Sequence, residues 1–264
     1  MVTQSDAGEI IHSRNLDFGL WPDFDLKHGQ VWELTAVMRP LVVNVDFQRG
    51  GKTLFKSTTF AGFIGAHTAM KPGAFSLSID TRFDNNVDLG LIKWVEEKKW
   101  DHDLEVTMLT RSIFQDMDSY WDALEKLKST KVIGPAYIIF SGISAGEGAV
   151  ITKGKPSTPG GKDGETVDVW LLGDEIKQNN TFFLVETNYD RTGPAPSGDD
   201  RRDPAIKCLD ELTPKGYDFN GVYNVLSAIP NLNRLTLFTT LMHAKEGAFE
   251  AYRQYCQGLH CPLV

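Results

Sequence analysis

The sequence predicts an α+β fold, in which antiparallel sheets pack face to face under helical layers within one domain spanning residues 1–264. Three observations carry that expectation. Apolar residues alternate with period two through the first half, helical spacing replaces that pattern in the middle, and strand runs are segregated from helix runs. Segregation argues against a doubly wound parallel sheet, which needs strands and helices to alternate. The chain shows no internal repeat and no linker long enough to divide it.

Taken in order, Val43, Val45 and Phe47 alternate with Asn44, Asp46 and Gln48; Gly50-Gly51 then supplies a turn and residues 52–60 resume in extended style. This predicts a β-hairpin. Phe75, Leu77 and Ile79 alternate with Ser76, Ser78 and Asp80 and predict another strand. Leu89, Leu91, Ile92 and Val95, then Leu104, Met108, Leu109 and Ile113, recur at helical spacing. A further helix is predicted over 119–129, with Ser119 as its cap. Strands are expected at 136–140, 149–152, 167–172 and 182–186, with a Gly/Pro/Ser/Lys-rich excursion at 153–165. The last third predicts helices near 203–212, 221–229 and 246–256, and a strand at 235–241.

Hydrophobic residues make up 41% and charged residues 23% of the 264, ordinary globular values that permit a sizeable core. A net charge of −8 argues against nucleic-acid binding, which needs a basic face. It suits an acidic compartment and suits an ordinary soluble acidic protein equally. No apolar run approaches the ~20 residues of a membrane span, and no signal-peptide pattern is visible at the first residues. Cys256 and Cys261 bracket a short loop that, in a secretory protein, reads as a disulfide clip. Cys208 is left over, as a bridge to something outside this chain or as a buried thiol. His12, His28, His67, His102, His243 and His260 show no metal-ligand or catalytic spacing, so neither metal nor cofactor is expected. Asn179-Asn180-Thr181 is a glycosylation sequon in what reads as a polar turn.

Several segments resemble the acid ceramidase / N-acylethanolamine acid amidase family of N-terminal-nucleophile cysteine hydrolases. They are His12-Ser-Arg-Asn-Leu-Asp-Phe18, Pro40-Leu-Val-Val-Asn-Val-Asp-Phe-Gln-Arg49 with Lys52-Thr53, and Phe60-Ala-Gly-Phe-Ile-Gly65. Lys71-Pro-Gly73, Glu186-Thr-Asn-Tyr-Asp190 and Asp199-Asp-Arg-Arg202 continue the resemblance in the same order. It spans essentially the whole chain, and the segment at 40–49 is nearer the ceramidases than the ethanolamide-cleaving relatives.

The resemblance implies an αββα sandwich and a precursor that cleaves itself before a cysteine, freeing a thiol and an α-amine that acts as its base. Aligned on Arg14, Met1 falls at the fourth residue after cleavage, so the nucleophile is expected three positions upstream and residues 1–264 alone are expected to be inactive. By the same resemblance, Arg14 favours the thiolate, Asp17 holds the amine, and Asn188 donates to the oxyanion. Arg201 braces the site or contacts substrate. Thr81 stands where the family has a glutamate; it can donate a hydrogen bond but cannot titrate. Asp80 is the available carboxylate nearby, although on a strand it faces the opposite way. Asp80 and Thr81 are together assigned to substrate binding. Cys208 matches the cysteine that bridges to a small N-terminal α subunit, and Cys256–Cys261 matches an intrachain pair.

The activity this implies is hydrolysis of the amide of N-acylsphingosine in a lysosomal lumen or after secretion, with a lipid-presenting activator protein as a further partner. The competing readings are an N-acylethanolamine amidase and an inactive lipid-binding fragment or pseudoenzyme. Without the motifs, Arg14 and Asp17 would read as a structural ion pair, Asn188 as a turn residue, and residues 199–203 as a solvated loop or helix start. Trp21, Trp32, Trp94 and Trp100 would read as core, or as part of an acyl groove.

Overall fold

The computed structural model describes residues 1–19, 23–25, 29–31, 33–82, 105–154, 167–256 and 261–262. Strands β1 (Val2–Gln4), β2 (Ile10–Asp17), β12 (Phe183–Leu184), β13 (Thr236–His243) and β14 (Ala248–Arg253) make a five-stranded sheet in the order β12-β1-β2-β13-β14. A seven-stranded sheet runs β11-β10-β9-β8-β7-β6-β5. Its members are β5 (Val42–Arg49), β6 (Lys52–Phe60), β7 (Thr68–Lys71), β8 (Phe75–Thr81), β9 (Ala136–Ser141), β10 (Gly148–Lys153) and β11 (Asp168–Leu171). All these pairings are antiparallel. β3 (Asp23–Asp25) and β4 (Gly29–Val31) form a separate small ribbon. The helices are α1 (Glu33–Met38), α2 (Val106–Asp116), α3 (Tyr120–Ser129), α4 (Leu172–Asn179), α5 (Arg202–Leu212) and α6 (Phe219–Ser227).

The apolar spacing explains the layering. Leu109, Ile113 and Phe114 of α2, with Leu124 and Leu127 of α3, bury their shared face on Phe55, Phe75, Leu77 and Phe140 of the large sheet. Leu209 of α5 and Val222 and Val225 of α6 do the same on Ile11 and Leu241 of the small sheet. Between the sheets lie Val2, Ile10, Ile139, Val150 and Leu184. The result is the expected four-layer αββα sandwich. Its inter-sheet layer is partly polar. His12 reaches Ser76 Oγ at 3.1 Å and Ser78 Oγ at 2.9 Å, while the Ser76 and Ser141 hydroxyls bond at 2.7 Å.

The hairpin over 42–60 forms as read, with Gly50 and Gly51 at φ +59° and +76°, backbone that side chains resist. Ser119 caps α3 by accepting from the Asp122 amide. The expected helix at 246–256 is wrong: Gly247 turns the chain at φ +70° and residues 248–253 pair with β13 as β14. Ala, Glu, Arg and Gln give that segment helix propensity, but six ladder positions beside a fully buried strand outweigh it. The strand at 182–186 shrinks to two residues, and Asn179 ends a helix instead of lying in a turn. The start of the helical run at Leu89–Val95 and Leu104, all but the first residues of the 153–165 excursion, and the four tryptophans read as core or groove lie outside the described residues.

Candidate active site

A cleft of about 160 Å³ opens where the C-terminal ends of β2 and β8 meet the segment that follows β12. Met1 lines it from the start of β1, and Leu16, Phe18, Ile79, Val185, Ala205 and Leu226 give it apolar walls. All four residues assigned catalytic roles from the sequence, Arg14, Asp17, Asn188 and Arg201, line the same cleft, as do Asp80 and Thr81.

Arg14 is 6% exposed and extends from β2 across to the large sheet. Its Nη1 donates to the carbonyls of His67 (3.2 Å) and Ile79 (3.0 Å) and to Thr68 Oγ1 (3.1 Å); Nε donates to Asn15 O (3.2 Å). Nη2 donates to Asp80 Oδ1 at 2.8 Å, closing an ion pair between the two sheets. Burial is the dominant influence on both partners, lowering Arg14 and raising Asp80, and their mutual attraction opposes it. Arg14 and Asp17 are not paired with each other, and the carboxylate that meets Arg14 is Asp80. Thr81 is exposed and contributes its backbone carbonyl, which accepts from Asn188 Nδ2 at 2.9 Å.

Arg201 caps the opposite wall. Its Nη1 donates to Asp17 Oδ2 at 2.8 Å, its Nη2 to Asn188 Oδ1 at 2.8 Å and Asp199 Oδ2 at 3.0 Å, and its Nε to Asp199 Oδ1 at 2.6 Å. Asp17 Oδ2 accepts a second bond from Asn233 Nδ2 at 2.8 Å. Asp17 Oδ1, however, is buried with no hydrogen-bond partner among the described residues. An unmatched carboxylate oxygen in a cleft wall is costly, and it stands ready for a cationic or N–H group. The Asn188 amide spends its oxygen on Arg201 and one N–H on Thr81, leaving its second N–H available.

Glu186 opens the segment Glu186-Thr-Asn-Tyr-Asp190, yet the resemblance assigns it no role. Glu186 lines the cleft, and among the described residues its recorded hydrogen bond is from the Thr187 amide at 3.0 Å. Burial, reinforced by Asp80 and Asp190, pushes its carboxyl up to about 8. Asn233 was likewise missed, and nothing local marks it, because its partner is 216 residues away. Beside the cleft, His67 stacks on Phe60 at 5.7 Å, and neither ring nitrogen has a hydrogen-bond partner among the described residues. Burial first, then Arg14, drops its imidazole to about 3, so it is neutral.

Elsewhere, Cys256 and Cys261 are disulfide-bonded with Cα atoms 5.7 Å apart, and Cys208 is a half-buried free thiol on α5. Asn179 is exposed and donates to Glu175 Oε2 at 2.6 Å. Among the described residues no cluster of His, Cys, Asp or Glu is placed to hold a metal ion, and no helix is long and apolar enough to cross a membrane.

The family described as linear amide C–N hydrolases, choloylglycine hydrolase family, matches residues 1–156. Acid ceramidase of Mus musculus is 39% identical over 260 residues, which cover 97% of this chain; the chain spans 62% of that relative's length. The solved Caenorhabditis elegans N-acylethanolamine-hydrolyzing acid amidase (NAAA) ortholog superposes with a TM-score of 0.74 at 29% identity, covering 96% of this chain and 98% of the other. Penicillin V acylase from Agrobacterium tumefaciens, 10% identical with a TM-score of 0.52 over 96% of this chain and 81% of its own, shares the fold. The matched residues hold β2 and β8, whose ends line the cleft, and this chain belongs to the linear amide C–N hydrolases of the choloylglycine hydrolase family.

Proposed function

We propose that this chain forms the catalytic body of an enzyme that hydrolyses the amide of N-acylsphingosine to sphingosine and a fatty acid. The observation that carries the hydrolytic reading is Asp17 Oδ1, a buried carboxylate oxygen without a partner in the wall that Met1 also lines. In this reading a cysteine three positions upstream of Met1 enters the cleft; three residues span at most ~10 Å, which suits a cavity that Met1 already touches. Its α-amine donates to Asp17 Oδ1 and takes the thiol proton. The thiolate attacks the amide carbon, and the oxyanion receives the free N–H of Asn188. The tetrahedral centre then collapses to an acyl thioester as the amine takes a proton and leaves, and water releases the acid by the same steps. The spare N–H of Arg14 Nη2 favours the thiolate.

The choice of a ceramide is supported by the 39% identity to acid ceramidase and by the apolar walls. A second reading, hydrolysis of N-acylethanolamines, is favoured by the likeness to the Caenorhabditis elegans protein. The proposal extends to a small upstream subunit bridged through Cys208, a self-cleaving precursor, a glycan on Asn179 and a lysosomal or secreted location, with a lipid-presenting activator protein as a further partner. The test is to express the full-length precursor and its upstream Cys→Ala form and follow fatty-acid release at acidic pH from a ceramide and from an N-acylethanolamine. Release from the ceramide by the native precursor alone is expected. Equal release by both forms would refute the thiol mechanism, and release from the ethanolamide alone would move the assignment to the second reading.

A further inference from the structure

An oxyanion donor works only if it is held within a fraction of an ångström of its working position. Asn188 nevertheless sits in a stretch, residues 185–201, with no helix or strand, between β12 and α5. Its own side chain reaches Thr81 O and Arg201, and both contacts depend on where the backbone around 188 is fixed. Two residues further on, the Asp190 carboxylate accepts three hydrogen bonds. Arg82 holds it as a fork, Nε to Oδ1 at 2.9 Å and Nη2 to Oδ2 at 2.8 Å, and the Tyr137 hydroxyl donates to Oδ1 at 2.6 Å. Arg82 directly follows Thr81, so consecutive residues at the end of β8 hold two points of the same loop. Tyr137 lies opposite Asp80 in the β8–β9 register, and the Arg82 guanidinium packs over its ring at 5.9 Å.

From this geometry we infer that Asp190, gripped by Arg82 and Tyr137, is a positioning residue that fixes the Asn188 amide for oxyanion stabilisation. A bidentate fork with a third donor fixes a carboxylate in direction as well as distance. The Tyr137 ring is buried in the inter-sheet core, so the anchor point itself does not move. Arg191 continues the fastening, with Nη2 donating to Asp168 Oδ2 of β11 at 3.1 Å and its guanidinium over the Trp170 ring at 5.0 Å. The loop that follows the small sheet is thus registered on the large one. The Arg82 bonds hold the Asp190 carboxyl below its ordinary range.

The inference rests on the amide-hydrolase reading, and its test separates the two. The full-length processed enzyme is prepared as wild type, Asp190→Ala, Tyr137→Phe, Asn188→Ala and the Asn188→Ala/Asp190→Ala double variant. Each preparation is normalised by titration of its reactive thiol, so misfolded or unprocessed protein is not counted. Asp190→Ala is expected to lower kcat ten- to a hundredfold with KM within about threefold, and Tyr137→Phe, which keeps the ring, to lower kcat three- to tenfold. Loss of the oxyanion donor itself is expected to cost ~10²–10³ in kcat. The double variant should fall no further than Asn188→Ala alone, because the two substitutions remove one function. Losses that multiply, or a change confined to KM, would overturn the positioning role while amide turnover by the wild type stands. An Asn188→Ala enzyme with full kcat would overturn it equally. No amide turnover by the processed wild type would sink the hydrolase reading and this inference together.

Discussion

The two guanidinium groups of the cleft are held in opposite ways. Arg14 donates most of its hydrogen bonds to backbone carbonyls, those of Asn15, His67 and Ile79, with the Thr68 hydroxyl and a single carboxylate added. Among the described residues Arg201 donates to side chains alone, those of Asp17, Asn188 and Asp199. The first is part of the framework and is positioned once the sandwich closes. The second is part of an adjustable polar wall that joins Asp17 at the end of β2 to the irregular stretch 185–201. Damage on the Arg14 side should therefore appear first as lost stability, and damage on the Arg201 side first as lost activity.

The largest expected effect is on the framework side. Asp80→Ala leaves Arg14 buried without its counter-ion, and truncating one partner of such a pair costs about 3–5 kcal/mol. Urea unfolding followed by circular dichroism would read it; a loss under 1 kcal/mol would show that the backbone carbonyls alone satisfy Arg14.

His67→Phe keeps the carbonyl that Arg14 uses and removes the unpartnered imidazole. Because folding depresses the His67 pKa from 6.5 to about 3, its contribution to stability is present above pH 6.5 and is lost as pH falls towards 3. The phenylalanine variant escapes that loss, so it should gain about 2–3 kcal/mol over wild type on going from pH 7.5 to pH 4.5. Thermal melts at the two pH values would break the claim if the difference did not depend on pH.

On the adjustable side, Arg201→Met should cost about 2 kcal/mol in unfolding free energy, less than Asp80→Ala, while lowering kcat of the processed enzyme by more than tenfold. The reverse order, with stability falling more than for Asp80→Ala, would erase the distinction between the two arginines.

Glu186→Gln probes the ground between them and carries the smallest effect. The native carboxyl is raised to about 8, so its stabilising contribution is complete below pH 4.5 and is lost as pH rises through 8. Glutamine does not titrate. The variant should therefore gain on wild type between pH 5 and pH 8, by about 1–2 kcal/mol after allowing for partial solvent access. Parallel Tm-against-pH curves for the two proteins would contradict it.

How much was legible in advance follows from how local each signal is. The hairpin at 42–60 and the cap at Ser119 are written within a few residues and formed as read. The motif residues Arg14, Asp17, Asn188 and Arg201 did converge on one cleft, because a resemblance carries three-dimensional information that spacing does not. Spacing failed where tertiary pairing decided the outcome. The 246–256 segment has the composition of a helix and became a strand because β13 offered it an edge. Asp80 was legible as alternating with Thr81, but its partner Arg14 lies 66 residues away on the other sheet. Glu186 was visible only as one letter of a motif, since its raised pKa comes from burial and from Asp80 and Asp190 closing around it.

The small sheet draws its central strands from both ends of the chain. β2, which carries Arg14 and Asp17, pairs on one side with β1 and on the other with β13 at residues 236–243. Asn15 of the same strand donates to the carbonyls of Leu226 and Asn231 and accepts from Thr239. A chain still on the ribosome thus presents β2 with one edge bare until residues 236–243 have been made. Contacts of such sequence separation close slowly and late. The cleft is consequently assembled late in folding: the strand that carries Arg14 and Asp17 is held on both sides only after residues 236–243 have been made and paired with it, and any chemistry that depends on Asp17 meeting Arg201 waits on that long-range closure.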